Sequence, residues 1–126
     1  MNETEALLLQ TPYEKRLAII AETFLQLKKD IGIDDDLLVF EGNPESAYQQ
    51  LLEYLEPYLF DMIQHNPQRF ARVIYKVDIS ENALNKKLRY SSNKSYVRVV
   101  TEMIIYRAFQ KVMTKMISRD NLKNNK

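Results

Sequence analysis

One predicted helix carries residues that could bind a metal ion or transfer a proton. Asp61 and the only histidine, His65, are four residues apart, and Glu53 and Glu56 precede them by one to two helical turns. A dinuclear metal centre in a helical bundle needs matching glutamate and histidine pairs from several helices, and a single histidine cannot complete that pattern. We therefore predict that His65 stabilises the C-terminal end of its helix, where an imidazolium suits the helix dipole.

A second acidic cluster has part of the spacing of a calcium-binding loop. Asp34, Asp36 and Glu45 fall at its first, third and twelfth places. The fifth and sixth places hold Leu38 and Val39, where the loop needs an oxygen ligand and a glycine. The sequence also has no cysteine, and its two glycines are too few for a phosphate-binding loop. We therefore predict a non-enzymatic protein with no catalytic residue, no cofactor and no metal.

Basic residues are concentrated in the C-terminal half, where they could contact an anionic partner. Residues 1–66 hold thirteen acidic and four basic residues, a net charge of −9, and residues 67–126 hold fourteen basic and four acidic residues, a net charge of +10. The halves cancel to the formal net charge of +1. Three explanations are open: the halves face each other within one chain, they face each other between two copies, or the basic half binds an anion such as nucleic acid.

A helix-turn-helix-like pair at 67–89 is the most concrete nucleic-acid candidate. Two short helices flank Val77-Asp78-Ile79, and the second would present polar and basic side chains outward. Against this, the turn lacks a glycine, and the acidic half of the chain would repel a phosphate backbone. The candidate contacts to an anion or nucleic acid are Asn82, Lys86, Arg89, Lys94, Arg98, Arg107, Lys111 and Lys115.

Prolines mark where the helices that position these residues begin. Thr11-Pro12, Asn43-Pro44 and Asn66-Pro67 each place a capping side chain before a proline, which is typical of a helix start. Glu14 would complete a capping box with Thr11. Pro57 lies inside the second predicted helix, whose apolar register continues across it, so we predict one kinked helix.

The first predicted helix, over residues 12–31, has a single apolar stripe. Its members are spaced alternately by four and three residues, close to the spacing of a coiled-coil seam. They are Tyr13, Leu17, Ile20, Phe24, Leu27 and Ile31. Because the helix is short, we expect the stripe to lie against its own domain. Gly32 supplies the helix stop, and the conformation of the connector at 33–42 stays open.

The last predicted helix, over residues 95–118, changes its apolar face halfway along. Its first half is apolar on the side of Val100 and Ile104, whereas Phe109 points to the side on which the first half is polar. Such a helix must be covered from two directions, either by other helices or by a second copy of the chain. The candidate self-association residues are Ile105, Tyr106, Phe109, Val112, Met113 and Met116.

Two segments of the C-terminal half contain motifs that can be compared with known families. They are Arg69-Phe70 with Ile74-Tyr75-Lys76-Val77-Asp78-Ile79-Ser80-Glu81, and Ile104-Ile105-Tyr106-Arg107-Ala108-Phe109-Gln110-Lys111. Both resemble segments of small all-α bacterial proteins of uncharacterised function. The resemblance implies a bacterial, cytoplasmic setting and assigns no catalytic or binding residue.

Together these patterns predict one all-α domain at 11–119, with frayed termini at 1–10 and 120–126. We expect a bundle of four to five helices with a kinked second helix and a long C-terminal helix. No apolar run approaches the about 18 residues that cross a bilayer, and the N-terminus is acidic, so we expect a cytoplasmic protein with no membrane partner. Its expected role is a protein-interaction module that forms a homodimer, and nucleic-acid binding through 67–89 is the alternative.

Overall fold

The computed structural model describes residues 3–34 and 43–124, and within these ranges it contains six helices and no strand. The helices are α1 (Glu3–Gln10), α2 (Tyr13–Ile31), α3 (Pro44–His65), α4 (Pro67–Val77), α5 (Glu81–Arg89) and α6 (Tyr96–Asn124). The all-α prediction is confirmed, whereas the predicted number of helices is too low. The part of the connector at 35–42 lies outside the described residues.

The additional helix is α1, which lies in the segment at 1–10 that was predicted to be a frayed end outside the domain. It packs on α6 and buries Thr4 and Leu8, which lie four residues apart on one helix face. The Thr11 hydroxyl donates a hydrogen bond to the Leu7 carbonyl (3.0 Å), so it completes α1 and gives α2 no side-chain cap. The predicted capping box with Glu14 is therefore wrong.

The other two proline-marked helix starts, those of α3 and α4, follow the predicted capping chemistry. The Asn43 side chain accepts a hydrogen bond from the Ser46 amide (3.1 Å), and the Asn66 side chain accepts one from the Arg69 amide (3.2 Å). α3 continues through Pro57 as one helix. Between α4 and α5, Asp78 has a φ of 68° and supplies the left-handed turn residue for which the sequence offers no glycine.

α6 is the central helix, and helices of its own chain cover it. All five other helices pack on it. Ile104 and Ile105 are completely buried, and Phe109 and Val112 are nearly so. Of the two ways to cover a helix that changes its apolar face, the fold shows burial by other helices of the same chain. α6 also runs to Asn124, six residues beyond its predicted end.

The apolar stripe predicted on the first helix is only partly buried. The later members of the stripe contribute to the core, with Phe24 and Leu27 at most 3% exposed. Tyr13 and Leu17, however, are 55% and 44% exposed. The alternating spacing predicted that both side chains face the core. In the structure Ile19 is buried in the first half of α2, whereas Tyr13 and Leu17 lie on the outer side of the helix.

None of the helices in the described ranges combines the length and the apolar composition that spanning a bilayer requires.

Candidate binding groove

Some of the opposite charges of the two halves of the sequence meet within one chain. Among the described residues, three ion pairs join an acid from residues 1–66 to a base from residues 67–126. They are Lys87–Glu3 (2.6 Å), Arg98–Glu56 (2.8 Å) and Lys111–Asp30 (2.9 Å). For these residues, the charge segregation along the sequence is explained by pairing inside the fold.

The pair between Lys111 and Asp30 is the centre of a polar network between α6 and α2. Asp30 is 5% exposed, and its Oδ1 accepts a hydrogen bond from the side-chain amide of Gln26 (3.0 Å). The Lys111 ammonium also donates to the Lys76 carbonyl (3.2 Å), and the Lys115 ammonium donates to the Gln26 side-chain oxygen (2.8 Å). Two of the predicted anion contacts on α6, Lys111 and Lys115, therefore bind α2.

A groove of about 930 Å³ lies between α1, α5 and α6. Its volume is near the upper end of the range that ligand pockets in proteins occupy. Its apolar lining comes from the turn before α5, from α5 and from α6. These residues are Ile79, Ala83, Val99 and Met103.

Tyr48 of α3 also lines this groove, although the residue is only 6% exposed. Burial raises the pKa of its phenol well above the usual value, and the carboxylates of Glu102 and Glu5 add to the rise, whereas the Arg98 guanidinium opposes it. The phenol therefore stays protonated at physiological pH, and the Tyr48 side chain forms part of the inner surface of the groove.

Charged residues line the edges of the groove, mostly as ion pairs. The pairs are Lys87–Glu3, which joins α5 to α1, Lys94–Glu102 (2.9 Å) and Arg107–Asp78 (3.2 Å). Lys86 is exposed and lines the same groove, and no carboxylate among the described residues lies within ion-pair distance of it. The groove therefore combines an apolar interior, the nearly buried Tyr48 phenol and the Lys86 ammonium, which has no ion-pair partner in the part of the chain that the structure describes.

The groove brings together four of the residues singled out in the sequence, which came from two different predicted sites. They are Tyr106, Lys86, Lys94 and Arg107. The contribution of α1 was not predicted, because residues 1–10 were expected to be a frayed end outside the domain. Tyr48 was not predicted either, because it lies on an apolar stripe and so carried the signal of a core residue.

The remaining predicted self-association residues belong to the core or pack against it. Ile105, Phe109 and Val112 are at most 3% exposed in a single chain, so these three cannot form a surface for a second copy. Met113 and Met116 are partly buried against the same core. The prediction that a partner chain covers Ile105, Phe109 and Val112 is therefore wrong, because helices of the same chain cover them. Self-association of the protein stays a prediction.

The remaining predicted anion contacts divide into two groups. Asn82 and Arg89 are exposed on α5 outside the groove. Arg98, Lys111 and Lys115 are engaged with residues of α2 and α3, as described above.

The acidic clusters considered for metal binding do not assemble a metal site among the described residues. No three potential ligands come together there. His65 is the last residue of α3, and its Nδ1 lies 3.0 Å from an Asp61 carboxylate oxygen with both side chains about three-quarters exposed. Asp36, which belongs to the calcium-loop pattern, lies outside the described residues.

The chain matches no protein-family model, no curated protein and no solved structure.

Proposed function

We propose that this protein is a non-enzymatic protein-interaction module that binds a segment of a partner protein in the groove between α1, α5 and α6. The observation that carries the proposal is Tyr48, a nearly buried phenol that lines a groove of about 930 Å³. Binding sites commonly combine an apolar concave surface with a few polar groups, so this groove suits a partner segment that has both polar and apolar side chains.

The residues of the groove define the chemistry of that segment. Ala83 and Met103 offer apolar surface, which favours one or two apolar side chains. The Tyr48 hydroxyl can donate to a backbone carbonyl, and the free Lys86 ammonium favours a carboxylate nearby. We therefore expect an amphipathic segment with apolar and acidic residues.

An amphipathic aromatic anion, 8-anilinonaphthalene-1-sulfonate, provides a first probe of the groove. We expect saturable binding by fluorescence, with nuclear magnetic resonance shifts at Tyr48, Met103 and Tyr106. Ala83→Glu places a carboxylate in the apolar lining and is expected to weaken binding by about tenfold or more. Asn82→Glu adds the same charge to the neighbouring exposed position, outside the groove, and should leave binding unchanged.

Peptides selected from a random library then test protein binding itself. Selection uses the wild-type chain, and binders that also recognise the Ala83→Glu variant are removed. We expect the remaining peptides to combine apolar and acidic residues and to shift the resonances of Tyr48 and Met103. Peptides that bind both variants equally, or resonance shifts elsewhere on the surface, would contradict the proposal.

Nucleic-acid binding through the pair at 67–89 stays the alternative function. Five of its eight candidate contacts are engaged within the chain. They are Lys94, Arg98, Arg107, Lys111 and Lys115. Asn82, Lys86 and Arg89 of α5 are the exposed residues left to contact a phosphate backbone.

A further inference from the structure

The outer face of α2 carries an aligned series of exposed apolar side chains. Leu17 and Leu25 are 44% and 60% exposed, and Ala21 between them is also exposed. Residues four apart follow one ridge of a helix, and Tyr13, one step earlier on this ridge, is 55% exposed. Single exposed apolar residues are common on protein surfaces, whereas an aligned apolar patch marks a contact site.

Two opposite charges lie on the same face, one toward each end of α2. Glu14 and Lys28 are each seven residues from Ala21, and at 3.6 residues per turn both point within about 20° of its direction. Neither has an ion-pair partner among the described residues. The face therefore has a small residue at its centre, a leucine on each side, an acid near one end and a base near the other.

We propose that two copies of the chain form a dimer in which their α2 helices pack antiparallel, around a twofold axis at Ala21. A twofold axis makes an interface self-complementary, because each contact occurs twice. In this register Glu14 faces Lys28 of the second copy, and Leu17 faces Leu25 of the second copy. The two Ala21 residues face each other, and their small side chains let the helices approach closely.

The positions of Glu14 and Lys28 favour a second copy of the chain as the partner at this face, because the face is complementary in charge to itself. An antiparallel register converts the acid at one end and the base at the other into two intermolecular pairs, whereas a parallel register would place like charges together. A stable dimer commonly buries about 800 Å² per partner, and one helix of 19 residues is only about 28 Å long. One helix of this length buries less area than such a dimer needs. We therefore expect a weak dimer, with a dissociation constant on the order of micromolar or weaker.

This interface is independent of the groove proposed above as the partner site. None of the residues on the outer face of α2 lines that groove. It also replaces the α6 residues that the sequence suggested for self-association.

Sedimentation equilibrium over a range of protein concentrations tests the dimer. We expect the apparent mass to rise from the monomer mass of 14.9 kDa toward twice that value. Ala21→Glu places two like charges at the twofold axis and should keep the chain monomeric at every concentration. Ala71→Glu makes the same change at an exposed position of α4 and should leave the dimer intact. Circular dichroism of both variants serves as the control, and we expect both to keep the helical content of the wild-type chain.

Charge reversal tests the antiparallel register. Glu14→Lys or Lys28→Glu alone should weaken the dimer by about fivefold or more, and the two substitutions together should restore it. Both substitutions oppose the dipole of α2, so the stability of the monomer should fall further in the double variant while dimer affinity recovers. That opposite response separates an intermolecular pair from a general loss of stability.

Three results would overturn the dimer proposal. The first is a wild-type chain that stays monomeric up to about millimolar concentration. The second is a dimer that Ala21→Glu leaves unchanged. The third is a double charge reversal that binds no better than either single variant. A dimer lost only with Ala83→Glu would instead assign the groove to self-association, which would contradict the α2 interface and also change the partner proposed for the groove.

Discussion

Replacing Lys111 by methionine is expected to destabilise the fold by about 3 kcal/mol, because the substitution leaves a buried carboxylate without its cation. Asp30 is 5% exposed, and its Oδ2 lies 2.9 Å from the Lys111 ammonium. Methionine retains much of the lysine stem and its apolar contacts, so the change is mainly the loss of charge and of two hydrogen bonds.

The geometry of the pair sets this magnitude. At 2.9 Å and an effective dielectric constant of about 20, the attraction between the two charges is about 6 kcal/mol. Removing Asp30 and the Lys111 ammonium from water costs several kcal/mol and offsets much of this attraction. After the substitution the carboxylate keeps its hydrogen bond from the Gln26 amide, which limits the loss.

Urea unfolding of a double-mutant cycle measures the effect. Asp30→Asn together with Lys111→Met removes both charges and keeps an acceptor for Gln26, so we expect a loss of only about 1 kcal/mol. Lys87→Met removes the cation of the Lys87–Glu3 pair, in which both side chains are about half exposed, and should cost less than about 1 kcal/mol.

A Lys111→Met variant that loses less than about 1 kcal/mol would refute this account of the network. Strict additivity of the Asp30 and Lys111 substitutions would refute it as well, because it would mean that the two groups do not stabilise each other.

Three further predictions concern other features of the fold. Asp78→Gly relieves a left-handed backbone at φ 68° and should raise the free energy of unfolding by about 0.5–1 kcal/mol in urea, despite losing the exposed contact with Arg107. Folding raises the pKa of Tyr48, so the phenol stays protonated in the folded chain at a pH at which it ionises in the unfolded chain. The free energy of unfolding therefore keeps the full contribution of Tyr48 below the unfolded pKa of about 10 and falls by about 1.4 kcal/mol per pH unit above that pKa. Thermal unfolding between about pH 9 and 11 should therefore show a smaller alkaline loss in Tyr48→Phe, and an equal loss would contradict the assignment. If the pair at 67–89 binds nucleic acid, Lys86→Glu with Arg89→Glu should abolish a salt-sensitive shift of a short duplex, and a wild-type chain that binds no duplex at about 50 mM salt would exclude this function.

Two of the three proline-marked helix caps were predictable from the sequence, whereas the side of a helix that faces the core was less so. Asn43 and Asn66 cap the helices that follow them, because each cap depends on a residue only three positions away. The inward face of α2 depends on where α6 lies. The spacing of Tyr13 and Leu17 therefore wrongly predicted that their side of the helix faces the core, where Ile19 is buried instead.

The groove was harder to predict because its residues come from distant parts of the chain. Glu3 meets Lys87 across 84 positions of sequence, and no local pattern encodes that distance. Tyr106 and Arg107 were both singled out, but for two separate sites. Their common groove emerges only once α1 and α5 pack on α6.

The attachment of α1 and α5 has a consequence for the dynamics of the molecule. Both helices pack on α6, and the half-exposed Lys87–Glu3 pair joins them to each other. Each has only one or two buried side chains. Local unfolding therefore costs less for these helices than for α2 or α3, and their amide hydrogens should exchange with solvent faster. If α1 and α5 open locally while the rest of the core stays folded, the partner segment proposed for the groove would enter it without global unfolding.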